Sequence, residues 1–199
     1  EIYQHGLIKT GDTVIASVLL GASSARAFLS LEDSAAAYFS HGLDAVSVID
    51  GMTHSIRATI KCGRYPTRLL ANPNNGLIYC ANSGGDDYYQ DSTLSVIDPT
   101  RNEIVGTITV GRGPTDVCYN DLHEKVYVAN RLDMTVTVLD ARTDSVRAVI
   151  PVDSTPRLLA CNPSNGKVYV GCDLDNQRWR WVSLVVLDGE GDSVLARHR

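Results

Sequence analysis

Two short segments of this chain gather the side chains that could make a site. The first, Ser83-Gly84-Gly85-Asp86-Asp87-Tyr88-Tyr89-Gln90-Asp91-Ser92, sets acidic groups beside paired tyrosines. The second, Asp173-Leu174-Asp175-Asn176-Gln177-Arg178-Trp179-Arg180-Trp181, alternates arginine with tryptophan. Tyrosine, tryptophan and arginine dominate binding hot spots, because each joins a large flat surface to a polar handle. The chemistry they suggest is recognition of a protein or a glycan. A second reading of Trp179 and Trp181 makes them covers for an outer strand edge, with the arginines in solvent. Carboxylates at Asp86, Asp87 and Asp91, or at Asp173 and Asp175, form the one grouping compatible with calcium, although their spacing is not that of an EF-hand. No other cofactor or metal is expected.

Catalytic patterns find little footing. The five histidines, at 5, 41, 54, 123 and 198, never form a close metal-binding pair. No G-x-S-x-G elbow sets a serine apart as a nucleophile. The glycines at 84, 85, 111 and 113 lack the strand-to-helix setting of a phosphate loop and read as turns.

The elements that must position the two segments come from a repeat. The line Leu94-Ser95-Val96-Ile97-Asp98 returns as Val46-Ser47-Val48-Ile49-Asp50, Val136-Thr137-Val138-Leu139-Asp140 and Leu184-Val185-Val186-Leu187-Asp188, so the aspartates stand 48, 42 and 48 residues apart. A period in the forties built from short alternating runs marks one supersecondary unit copied along the chain. Within the copy at 66–113, turn chemistry at Asn72-Pro73-Asn74-Asn75-Gly76 and period-two alternation divide the residues into four strands, near 67–71, 77–81, 93–97 and 104–110. The whole chain reads as a partial unit at 1–23 and four units at about 24–65, 66–113, 114–155 and 156–199. In the partial unit, residues 13–21 align with the fourth strand of the others.

Such four-stranded meanders cannot bury two faces alone and must stack on one another. The predicted fold is all-β, a beta-propeller of four-stranded antiparallel blades, with about four and a half blades in this chain. The recurrent aspartates then read as turn caps accepting backbone amides, Asn82 and Asn130 as partners for backbone groups, and Tyr79, Tyr127 and Tyr169 as packing units with a hydroxyl at the rim. From opening proline to repeated aspartate, the second and fourth units each exceed the third by six residues, and in both the excess falls between the second and third strands. Successive turns of an antiparallel meander alternate between its two ends. Both insertions should therefore leave the ring face that carries the blade links Gly63-Arg64-Tyr65-Pro66, Gly111-Arg112-Gly113-Pro114 and Asp153-Ser154-Thr155-Pro156. Arg64 and Arg112 join Asp86, Asp87, Tyr88, Tyr89, Arg178, Trp179, Arg180 and Trp181 as the candidate binding set.

The segments Tyr127-Val128-Ala129-Asn130, Val136-Thr137-Val138-Leu139-Asp140 and Ile108-Thr109-Val110-Gly111-Arg112-Gly113-Pro114 resemble the YVTN family of beta-propeller repeats, found in surface-layer and other exported proteins. The resemblance implies a bladed ring, most often of seven blades, an extracellular or cell-surface location, and a binding or structural role. It implies no single activity. The alternative is a propeller enzyme, a lactonase-like hydrolase or a quinone-dependent dehydrogenase with its site over the central channel, which rests on fold analogy alone.

Bulk properties narrow the partners. With 18 basic against 23 acidic side chains and a net charge of -5, the chain offers no electrostatic footprint for nucleic acid. Its longest apolar run, near Val14 to Leu20, is broken by Ser17 and far short of a membrane span. The absence of an initiator methionine and of a basic-then-apolar leader suggests a processed product or an excised piece. Five cysteines, Cys62, Cys80, Cys118, Cys161 and Cys172, cannot all pair internally, and most are expected to be unpaired core thiols. Their spacing leaves a disulfide between neighbouring blades undecided. Fewer than five blades do not close a ring, so missing sequence or other copies of the chain are expected to complete it.

Overall fold

The computed structural model describes residues 5–10, 13–19, 25–31, 36–41, 44–85, 91–152, 154–173 and 182–198. The described residues form 18 β-strands, all paired antiparallel, and no helix. The first blade is β3 (Ala25–Leu31), β4 (Ala36–His41), β5 (Ala45–Asp50) and β6 (Ile56–Lys61). The second is β7 (Pro66–Ala71), β8 (Ile78–Asn82), β9 (Thr93–Asp98) and β10 (Glu103–Thr109). The third is β11 (Pro114–Asn120), β12 (Lys125–Asn130), β13 (Thr135–Asp140) and β14 (Val146–Pro151). The fourth is β15 (Thr155–Cys161), β16 (Val168–Asp173), β17 (Val182–Asp188) and β18 (Ser193–His198). Every blade is a simple meander in which sequence neighbours are sheet neighbours. Ahead of them, β1 (His5–Thr10) pairs with β2 (Thr13–Leu19) as a separate hairpin. The opening segment thus holds a second strand in addition to the one aligned with the fourth strand of each unit.

The sheets radiate from a common axis. Their first strands stand side by side, β3 against β7, β7 against β11 and β11 against β15, whereas the outermost strands of neighbouring blades barely meet. This arrangement follows from the alternation in the second and third strands, whose two faces are both apolar and need a neighbour on each side. A core lies at each of the three boundaries between these blades, and Ala37, Phe39 and Ile49 form a smaller cluster on the first blade. Tyr38, Val48 and Ile60 meet Leu69, Ile78 and Ile97 between the first and second blades. Tyr79, Leu94 and Val96 meet Val117, Val126 and Leu139 between the second and third. Tyr127, Val136 and Val138 meet Val168, Val170 and Leu187 between the third and fourth. Each fully buried aliphatic side chain in such a core contributes roughly 1.5–3 kcal/mol, and the interfaces rather than any single sheet hold the fold.

Polar bonds set the blades in register. At one end of the ring, Asp50, Asp98, Asp140 and Asp188 open the turn between third and fourth strands and accept backbone amides from two or three residues onward, as in Asp98 Oδ1 from Thr100 (2.8 Å) and Asp140 Oδ1 from Thr143 (3.1 Å). The Thr100 hydroxyl, Arg101 and the Thr100 amide hold the Asp98 carboxyl well below its usual range. Four residues after each aspartate the backbone turns left-handed, at His54, Asn102, Asp144 and Asp192 (φ 51 to 59°), a conformation that asparagine and aspartate tolerate best among residues with a side chain. Three of these residues receive the tyrosine of the preceding blade's second strand: Tyr38 donates to Asn102 (3.4 Å), Tyr79 to Asp144, and Tyr127 to Asp192 (3.3 Å). Beside the last, buried Lys125 donates from Nζ to Gly189 O, Glu190 O and Asp192 Oδ1 at 2.7–2.9 Å.

The cysteines divide unevenly. Cys118 on β11 and Cys161 on β15 form a disulfide that ties the third blade to the fourth, with Cα atoms 6.2 Å apart. Cys62, Cys80 and Cys172 stand outside that bridge.

Candidate binding face

The end of the ring opposite those turns carries the links between blades and the connections from second to third strands. The links are locked down. Gly63 and Gly111 open them against the last residue of the following blade's second strand, so close that a Cβ on Gly63 would lie 2.5 Å from Asn82 Nδ2, and one on Gly111 would lie 2.6 Å from Asn130 Cγ. Only glycine fits there. Asn82 in turn donates to the hydroxyls of Thr93 (3.0 Å) and Ser95 (2.9 Å), and Asn130 to those of Thr135 (3.0 Å) and Thr137 (2.8 Å). These asparagines bridge second and third strands through hydroxyls instead of serving backbone groups, because threonine or serine stands opposite them or two residues on in the ladder. In the first blade His41 takes the same place, its Nε2 3.1 Å from Ser47 Oγ, and burial lowers its pKa.

Arg64 and Arg112 stand on this face, each in a link stitched to the loop beside it. The Arg64 amide donates to Asp91 Oδ2 (2.9 Å) and its carbonyl accepts from Gly84 (3.0 Å). The Arg112 amide and Nε donate to the two oxygens of Asp133 at 2.8 and 2.6 Å. Burial opposes ionisation of Asp133, yet the hydrogen bonds from Arg112 outweigh it and keep the carboxyl below its usual range. Arg157, at the start of the fourth blade, makes the same kind of pair with Asp173 Oδ2 at 2.7 Å. A shallow groove of about 420 Å³ adjoins Arg112, lined by Thr109, Gly111, Asp133, Thr135, Thr137 and Val149 between the outer parts of the second and third blades.

The remaining candidates, Asp86, Asp87, Tyr88, Tyr89, Arg178, Trp179, Arg180 and Trp181, lie outside the described residues, as does Asp175 of the second calcium grouping. Their flanks are described. The first insertion leaves β8 through Gly85 and rejoins at Asp91, and the second leaves β16 at Asp173 and rejoins at Val182, both on the link-bearing end. Asp91 and Asp173 are engaged within the protein. Asp91 accepts from Arg64, from its neighbour Ser92 (2.7 Å) and from the Thr93 hydroxyl (2.7 Å), and Asp173 from Arg157.

Sequence reasoning passed over the most unusual carboxylate. Asp116 on β11 is 4% exposed and spans three blades. Its Oδ1 pairs with Arg68 Nε of the second blade at 2.9 Å, and its Oδ2 accepts the Leu159 amide of the fourth at 2.7 Å. Burial raises its pKa against the pull of the Leu159 amide and Arg68. The signal was present two residues after the repeated proline, where successive copies carry Arg68, Asp116 and Leu158, opposite charges followed by an apolar side chain. Among the described residues no three histidine, cysteine, aspartate or glutamate side chains converge to hold a metal ion.

Radial four-stranded blades, with locked links and two insertions at one end, make this chain a β-propeller protein. No family model matches the sequence, and no curated protein is significantly similar to it. Among solved structures, the chain is similar to Kuenenia stuttgartiensis hydrazine synthase, with a TM-score of 0.75 over 87% of this chain and 18% sequence identity. It spans 48% of that chain, about half of its length. At this identity the likeness concerns the fold.

Proposed function

We propose that this chain is a non-catalytic binding or structural propeller of the YVTN-repeat type, exported or displayed on a cell surface, which holds a protein or glycan partner on its link-bearing face. The observation that carries the reading is the rigidity of that face. Arg64 and Arg112 rise from backbone pinned to Asp91 and Asp133, the Arg157 side chain is held by Asp173, and both insertions leave the same end. Loops mounted on a fixed scaffold are where binding sites concentrate. The Cys118–Cys161 bridge supports an exported setting, since disulfides persist in oxidising compartments. A hydrolase or dehydrogenase working over the channel would use a titratable group beside it. Asp116 is the strongest candidate, and Arg68, Leu159 and Val117 already occupy its two oxygens.

The reading includes a larger ring. Leu158 and Leu184 of the fourth blade are 68% and 37% exposed, on the side where earlier blades meet their successors. A further four-stranded blade with asparagine or aspartate in its left-handed turn would cover them and receive the Tyr169 hydroxyl, as Asn102, Asp144 and Asp192 receive theirs. The binding proposal is tested on a glycan array and on immobilised cell-envelope protein. Trp179→Ala with Trp181→Ala should lower binding by at least tenfold while leaving the far-UV circular dichroism unchanged. Loss of the β-sheet spectrum would make those rings structural and remove the site.

A further inference from the structure

We propose that Cys62 and Cys80 are the site of a second inter-blade disulfide, formed by exchange with a small-molecule disulfide such as oxidised glutathione. Cys62 directly follows the outermost strand of the first blade, β6, and Cys80 sits in the second strand of the second blade, β8. Both sulfurs lie in the core between those blades. The backbone brings them together, since the Gly63 amide donates to Ser95 Oγ at 3.1 Å and Ser95 is the ladder partner of Cys80. The thiols are arranged in series. Cys80 hydrogen-bonds to the Cys62 side chain, and Cys62 donates onward to Ile60 O at 3.6 Å. The hydrogen bond to Cys62 and burial raise the Cys80 thiol well above its usual pKa.

Access sets the order of events. Cys62 is half-buried and Cys80 fully buried. The Cys62 thiolate attacks the external disulfide, forming a Cys62–glutathione bond and expelling one glutathione thiolate. The Cys80 thiolate then attacks the Cys62 sulfur and expels the second. Both cysteine thiols lose their protons to the two departing thiolates, and the pair is oxidised by two electrons as glutathione disulfide is reduced. The result ties the first blade to the second as Cys118–Cys161 ties the third to the fourth, while the fifth cysteine, Cys172, is buried in a different core. The inference does not depend on which partner the ring face holds.

The test is peptide mapping of the wild-type chain, reduced, incubated with oxidised glutathione over a time course, then alkylated in denaturant. A Cys62–glutathione adduct should rise and decay as a cross-linked Cys62–Cys80 peptide accumulates, with Cys172 alone alkylated at the end. Cys80→Ser should stop at the adduct. The proposal is overturned if Cys62 and Cys80 are both alkylated in a sample where Cys118–Cys161 has closed, or if Cys62 is found joined to any other cysteine. The wild-type time course decides the matter even if Cys80→Ser does not fold.

Discussion

The third and fourth blades are built to one plan, yet their second strands differ along their whole length. Every residue of β12 is buried, while β16 alternates between buried Val168, Val170 and Cys172 and half-buried Tyr169, Gly171 and Asp173. The sequences are nearly interchangeable, Val126-Tyr127-Val128-Ala129 against Val168-Tyr169-Val170-Gly171. What differs is the neighbour. β12 has a blade on each side, whereas among the described residues β16 has a neighbouring blade only on the side of the third. The comparison teaches that in this fold burial belongs to the interface and not to the strand. A sequence written for two covered faces displays its second pattern only when one cover is missing.

Substitutions at matched positions test that comparison. Val136 on β13 and Leu184 on β17 occupy the same ladder place, opposite Ala129 and Gly171 respectively. Val136 is fully buried and Leu184 is 37% exposed. In urea titrations Val136→Asp should cost more than about 4 kcal/mol and abolish the cooperative transition, because a charge enters a sealed apolar core. Leu184→Asp should cost less than about 1 kcal/mol in the 199-residue chain. Equal losses would mean that the outer face of the fourth blade is already covered. A smaller contrast is expected at the tyrosines. Tyr127→Phe removes the donor to Gly189 O and Asp192, for a cost of about 1–2 kcal/mol, while Tyr169→Phe should stay within about 0.5 kcal/mol. Appending a further blade with an aspartate in the left-handed turn should bring the second value up to the first.

These matched pairs also show how much was legible beforehand. The repeat revealed the strands, their order and the turn aspartates, because period-two alternation and Asx turn chemistry are local. Tyr79 and Tyr127 were visible as rim hydroxyls in phase, but their acceptors lie 65 residues away in each case, in the next unit. The Cys118–Cys161 bridge decides the inter-blade pairing that cysteine spacing left open, and it was hidden for the same reason: strand pairing within a unit says nothing of which first-strand residues meet across units. Asp116 stood in plain sight beside the repeated proline, yet its partners come from the blades before and after. Of the candidate binding set, Arg64 and Arg112 fall on the face that loop counting assigned to them.

The finest contrast lies in alkali. Burial and the hydrogen bond to Asp144 push the Tyr79 phenol up to about 12, and burial beside Asp192 raises Tyr127 as well. An unfolded tyrosine titrates near about 10, so above that pH the native state retains protons that the unfolded state has released. Stability contributed by these latches is therefore complete below about pH 10 and declines as pH rises toward the folded value. Thermal melts should accordingly fall between about pH 10 and 12, and Tyr79→Phe should flatten that decline while lowering the melting temperature at neutral pH. If the variant keeps the wild-type slope, the alkaline loss comes from elsewhere, and the tyrosine-to-turn bond is not what holds one blade against the next.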